Sequence, residues 1–89
     1  MSRQLSMPSK VLDDPRWSEI LRVWTDGNVQ QFMIRPTVWG DPAAWGLLLV
    51  DLANQVAAAY VHQQGGDTDV IRARIRSGFD AEWETPTDT

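Results

Sequence analysis

The sequence predicts a single α+β domain in two layers, in which a β-hairpin precedes two antiparallel helices. A turn dipeptide, Asp26-Gly27, separates two segments rich in β-branched and aromatic residues. A helix-start signal, Asp41-Pro42, opens a long apolar segment that ends at Gly65-Gly66. Apolar residues at every fourth position then predict a second helix. The expected order is therefore β-β-α-α, and 89 residues suffice for one domain.

The hairpin is predicted over residues 19–35. A two-residue loop at Asp26-Gly27 places Val23 opposite Gln30 and Leu21 opposite Phe32, and this register sorts the side chains onto two faces. One face carries Leu21, Val23, Phe32 and Ile34, and the other carries Ile20, Trp24, Val29 and Met33 mixed with Arg22 and Gln31. If Asn28 joins the loop, one strand slips by a residue and the sorting changes.

A helix competes with the first strand. Asp14 and Pro15 form a helix-start pair, and an apolar stripe with helical spacing follows at Trp17, Ile20, Leu21 and Trp24. The hairpin is favoured because the second strand segment has no helical alternative and needs a partner.

The long helix is predicted over residues 42–64 and the second helix over 68–84. Residues 1–13 form an N-terminal arm, and residues 85–89 a frayed tail. The long helix is apolar around most of its circumference, which indicates that it is covered on more than one side. Its main apolar face is expected to carry Trp45, Leu48, Leu49, Leu52, Val56, Ala59 and Tyr60. Gly46 is expected to allow a close backbone approach.

The second helix carries an apolar row and a charged row. Its apolar residues at four-residue spacing are Ile71, Ile75, Phe79 and Trp83, and the charged row contains Arg72, Arg76 and Asp80. The short Gly65-Gly66 connection predicts antiparallel packing. Trp45 and Trp83 are expected in the core between the helices, and Trp39 is expected to pack on the start of the long helix.

A homodimer is predicted because a lone two-stranded hairpin is marginally stable and leaves both strand edges open. Two hairpins joined across a two-fold axis would form a four-stranded sheet. Tryptophan is enriched at interaction hot spots, so Trp24 is the main expected anchor. The candidate interface consists of Ile20, Trp24, Val29 and Met33.

Composition excludes several functional classes. The net charge of −4 disfavours nucleic acid as a partner, and the absence of cysteine excludes disulfides and thiolate chemistry. The longest strictly apolar run, Val56–Val61, has six residues, far fewer than the roughly 20 residues of a membrane helix. Met1–Lys10 lacks the apolar core of an export signal. A cytoplasmic protein without a membrane contact or a cofactor is expected.

Candidate catalytic chemistry is sparse. His62, the one histidine, is expected to be solvated near a helix C-terminus rather than to act as a general base. The paired aspartates Asp13-Asp14 and Asp67–Asp69 are explained by turns and caps rather than by a metal. Arg72, Arg74 and Arg76 do not form one basic face, because two-residue steps on a helix turn about 200°.

Two functional hypotheses follow. The first is a homodimeric interaction or accessory module without catalysis, which buries an aromatic patch against a partner. The alternative is a small-molecule binding protein with a pocket between the hairpin and the helices. That pocket would be lined by Arg22, Arg35, Trp39 and His62.

Three segments together resemble a known family. They are Leu21–Trp24, the run from Trp39 through Asp41-Pro42 to Leu52, and Gly78–Trp83. The chain resembles the small proteobacterial proteins grouped as domain of unknown function 5076. The resemblance spans nearly the whole chain and implies a stand-alone bacterial protein. It implies no activity and no catalytic residue.

Overall fold

The predicted element order is confirmed in a computed structural model, which describes residues 4–86. A single helical turn, α1 (Ser9–Leu12), lies within the segment predicted as an arm. The other elements are β1 (Leu21–Thr25), β2 (Gln30–Ile34), α2 (Ala43–Gln64) and α3 (Thr68–Glu84). Residues 1–3 and 87–89, at the ends of the predicted arm and tail, lie outside the described residues. The chain divides into two units, Met1–Val38 and Trp39–Thr89, each described by itself.

The strands form the predicted antiparallel hairpin, but the predicted register is wrong. Val23 lies opposite Phe32 rather than Gln30, and Leu21 lies opposite Ile34 rather than Phe32. The shift is two residues, an even number, so each side chain stays on its predicted face. The α+β class and the composition of both hairpin faces therefore stand.

The register differs from the predicted one because the side chain of Asp26 forms hydrogen bonds within the turn. Its carboxylate accepts hydrogen bonds from the backbone N–H groups of Asn28 and Val29, at 2.8 and 2.9 Å. Both hydrogen bonds lower the pKa of Asp26 from its ordinary value of 3.8, and the bond from Val29 contributes most. Gly27 has a φ of 101°, whereas Asp26 stays at negative φ. A turn in which Asp26 also adopted positive φ, as the predicted two-residue loop requires, therefore does not form.

The competing helix from Asp14 does not form. Asp14 instead closes one turn: its carboxylate accepts the Arg16 N–H at 3.0 Å, and its carbonyl accepts the Trp17 N–H. The Arg16 guanidinium also contacts the Asp14 carboxylate at 2.7 Å, and this hydrogen bonding lowers the pKa of Asp14. The chain then extends into β1.

Asp41 and Gly65 bound α2 as the sequence predicts. The Asp41 carboxylate accepts the Ala43 N–H at 3.0 Å, which satisfies one of the free donors of the first turn. Gly65 has a φ of 76°, and its N–H bonds to the Val61 carbonyl at 2.8 Å. At the next helix, the Asp67 carboxylate accepts the Asp69 N–H at 2.8 Å.

Small side chains on α2 pack against α3. Ala57 is completely buried, and Ala53 and Val61, one turn to either side, are half-buried. On α3 the half-buried residues are Ile71 and Ile75. Since 53, 57 and 61 share one side of α2, this stripe is the side that meets α3, and we call it the inner face.

The expected placement of two tryptophans in the core between the helices is wrong. Trp83 is 75% exposed and stacks on Phe79, with ring centroids 5.5 Å apart. Trp45 is half-buried, and its ring meets Trp39 edge to face at 5.3 Å. The expected packing of Trp39 on the start of α2 is confirmed. The half-buried and buried residues at the helix contact are alanines and β-branched residues instead of tryptophans.

Gly46 does not serve a close approach within the chain. A Cβ atom built at this position meets no heavy atom within 4 Å among the described residues beyond its own helix. The expectation drawn from its position is therefore wrong.

Candidate interaction surface

One face of the hairpin forms a shallow groove of about 390 Å³. Alternation along β1 and β2 brings its central side chains, those of Ile20, Trp24 and Met33, to the same side. Trp24 is 46% exposed and Met33 is 66% exposed, whereas Ile20 is half-buried. We call this surface the hairpin groove. It contains three of the four predicted interface residues, and Val29 lies at the hairpin turn, half exposed.

Two arginines flank the hairpin groove. The Arg22 Nε donates to a Glu19 carboxylate oxygen at 2.8 Å, and this hydrogen bond, aided by the negative charge, raises the Arg22 pKa. The Arg35 Nε donates to the Glu19 carbonyl, also at 2.8 Å. Both guanidinium groups therefore have a fixed anchor and remain exposed at the rim. The groove can accept an apolar or aromatic group with a carboxylate at its edge.

The opposite hairpin face is also apolar and exposed. Val23, Phe32 and Ile34 are each about half exposed. In the described residues each strand pairs with the other strand alone. The Arg35 N–H donates to the Ile20 carbonyl, so the backbone N–H and C=O groups of even-numbered residues in the first strand point toward β2. The backbone groups of the odd-numbered residues Leu21, Val23 and Thr25 therefore point away from β2, at the open edge of the hairpin. Both strand edges are thus able to pair with a further strand.

A second apolar surface lies on α2. Residues at alternating steps of four and three form a stripe rotated roughly a third of a turn from the inner face. Leu49, Leu52 and Val56 in this stripe are 45%, 48% and 36% exposed. We call it the outer stripe, and it contains Trp45, Leu49, Leu52, Val56, Ala59 and Gln63. Sequence reasoning identified these apolar residues but did not distinguish this stripe from the face that meets α3.

The residues of the alternative ligand pocket are only partly brought together. Arg22 and Arg35 share the rim of the hairpin groove. Trp39 packs on Trp45 in the first turn of α2, whereas His62 lies in its last turn. Seventeen residues of helix separate Trp45 from His62, which is roughly 25 Å. Trp39 and His62 therefore do not line a common site on the helix pair.

The described part of the chain has no cluster of three or more metal-ligating side chains. Over the same residues, no buried polar side-chain atom lacks a hydrogen-bond partner. The shifted pKa values belong to surface groups in local turns and ion pairs, the half-buried Asp14 and the exposed Arg16, Arg22 and Asp26. Because perturbed active-site groups are normally buried in a cleft, these shifts are better explained by local structure.

Among the described residues one helix, α2, is long and apolar enough to span a membrane. Core helices of soluble proteins share this length and composition. Asp51 lies near the middle of α2, where a charge in a bilayer costs roughly 2.5–3.5 kcal/mol. The absence of a membrane contact stays a prediction.

Comparisons with known proteins bear on the family and the fold. The sequence matches the family described as "Domain of unknown function (DUF5076)" over residues 4–87. No curated protein matches the chain. A solved structure from the photosynthetic bacterium Rhodopseudomonas palustrus CGA009, described as a "putative pyruvate dehydrogenase", is 30% identical, with a TM-score of 0.76. The alignment covers 100% of this chain and 91% of that one. The chain therefore belongs to the DUF5076 family.

Proposed function

We propose that the protein is a non-catalytic interaction module that works as a homodimer. The observation that carries this proposal is the scarcity of buried side chains: across residues 4–86, Ala57 is the one that is fully buried. A folded domain of this length buries about 60% of its unfolded surface. The exposed apolar residues of the hairpin and of α2 therefore need a partner.

The hairpin supports self-association in particular. Two strands alone are marginal in water, and here both faces and both edges are open within the described residues. Pairing of two hairpins across a two-fold axis would satisfy one edge of each copy and double the sheet. Trp24 and Ile20 in the hairpin groove are the proposed anchors.

A Trp24→Glu variant tests the proposed anchor. A carboxylate in place of the indole would have to be desolvated on association, so the variant is expected to shift from a two-chain to a one-chain mass. Far-UV circular dichroism should retain the signal of the two helices. Ala73→Glu, which adds the same charge at an exposed α3 position, should keep the two-chain mass. Unchanged assembly of Trp24→Glu would remove Trp24 from the interface.

A second candidate is the binding of a small carboxylate. The two guanidinium groups at the rim of the hairpin groove favour such a ligand. The description of the similar Rhodopseudomonas protein names a reaction of pyruvate, which belongs to this class. A pyruvate titration read by tryptophan fluorescence discriminates between the candidates: a saturable change that Arg35→Gln abolishes favours the binder.

A further inference from the structure

We propose that the outer stripe of α2 packs antiparallel against the same stripe of a second copy, with Trp45 of one chain opposite Gln63 of the other. The proposal rests on the proposed homodimer and assigns it a second contact. It concerns α2 alone and adds to the hairpin contact described above.

The spacing of the outer stripe is that of a coiled-coil seam. Its residues follow one another at steps of four, three, four, three and four along α2. This alternation is the a/d pattern by which one helix inserts side chains between those of a facing helix. Within the chain α3 already occupies the inner face, so the outer stripe remains for a further helix.

A groove on α2 marks where a large side chain would fit. It has a volume of about 290 Å³ and is lined by Val56, Ala59, Tyr60, Gln63 and Gln64. Ala59 at its centre provides the depth. At the opposite end of the outer stripe, Trp45 is half-buried, and its ring contacts Trp39 edge to face.

Side-chain size favours the antiparallel orientation. Full overlap of two antiparallel stripes places Leu49 opposite the partner's Ala59, and Leu52 opposite the partner's Val56. Large residues then face smaller ones along the contact, as close packing requires. A parallel pair would crowd two indoles at one end and leave two alanines facing each other at the other end. Antiparallel helix dipoles also attract.

The apolar area of the outer stripe is large enough for a substantial part of a dimer interface. The exposed parts of the outer stripe and of the adjacent Tyr60 provide on the order of 400 Å² of apolar surface per chain. A stable interface buries about 800 Å² per partner. The α2 contact would thus supply about half of the area of a stable interface.

Disulfide trapping tests the pairing directly, because the chain has no cysteine of its own. A double variant, Leu49→Cys with Ala59→Cys, should form a covalent two-chain species under mild oxidation. Within one helix these positions are roughly 15 Å apart, too far for a disulfide. Each single variant should stay at one-chain mass on a non-reducing gel. Trapping by a single variant would show a parallel pair and overturn the proposal.

A charge substitution provides a second test that does not depend on disulfide geometry. Ala59→Lys places an ammonium in the outer stripe and should shift the two-chain species toward one-chain mass. Ala58→Lys, one residue away on another side of α2 and also exposed, should leave the mass unchanged. If both variants keep the two-chain mass and the double-cysteine variant does not cross-link, the α2 contact is wrong while the proposed homodimer stands.

A lipid bilayer is the other occupant to be tested. Co-sedimentation of the wild-type chain with phosphatidylcholine–phosphatidylglycerol vesicles, abolished by Ala59→Lys but not by Ala58→Lys, would overturn the proposal in favour of a membrane. No co-sedimentation, together with trapping by the double variant, supports the second copy.

Discussion

At the scale of single residues, Asp26 decides how the hairpin turns. The sequence marks Asp26-Gly27 as a turn but does not say which of its residues occupies the positive-φ position. The residue that adopts positive φ depends on whether the Asp26 carboxylate accepts hydrogen bonds from the N–H groups of the residues that follow the turn. Here it accepts those of Asn28 and Val29. The faces of the strands were predictable from alternation, whereas the pairing partners were not.

The pKa of Asp26 leads to a prediction about acid stability. Because the folded-state pKa is lowered, the ionised carboxylate stabilises the hairpin above the ordinary value of 3.8, and this contribution is lost as the pH falls through the folded-state pKa. Asp26→Asn keeps an acceptor oxygen but does not titrate. Its denaturant midpoint should therefore fall less than that of the wild type between about pH 5 and about pH 3.

The control for this experiment is Asp13→Asn, which makes the same change of charge outside the turn. It should lose stability on acidification as the wild type does. An Asp26→Asn variant as acid-sensitive as the wild type would show that the turn does not depend on the ionised carboxylate.

At the scale of elements, α2 shows what helical periodicity can and cannot predict. Its bounds were readable from Asp41-Pro42 and Gly65-Gly66, because caps depend on local chemistry. Its all-round apolar character indicated more than one covering partner. The side that meets α3 was not predictable from hydrophobicity, since the contact uses the small residues Ala53 and Ala57 rather than the larger ones.

Packing between α2 and α3 predicts that enlarging a buried alanine destabilises the fold more than truncating an exposed leucine. Ala57 is 0% exposed, so Ala57→Leu adds volume where none is available and should destabilise the fold by about 1–3 kcal/mol. Leu47 is 71% exposed on the same helix, so Leu47→Ala should change the stability by less than about 0.5 kcal/mol. Urea denaturation at one fixed protein concentration measures both. Equal effects would contradict the assignment of the inner face.

At the scale of the whole molecule, the exposed apolar surface is the main property of this chain. The fold class and family follow from the sequence, because turn signals, caps and periodicity all indicate the same element order. The candidate site was predictable in part: alternation placed Ile20, Trp24 and Met33 together in the hairpin groove. The separation of Trp39 from His62 was also predictable, because the predicted bounds of α2 already place these two residues at opposite ends of the helix.

Sedimentation equilibrium of the wild-type chain, over a range of micromolar concentrations, tests self-association most directly. We predict a mass of two chains, twice 10.1 kDa. A mass of one chain at every concentration, with a cooperative unfolding transition, would contradict the account, because the exposed surfaces of the hairpin and α2 would then be stable without a second copy.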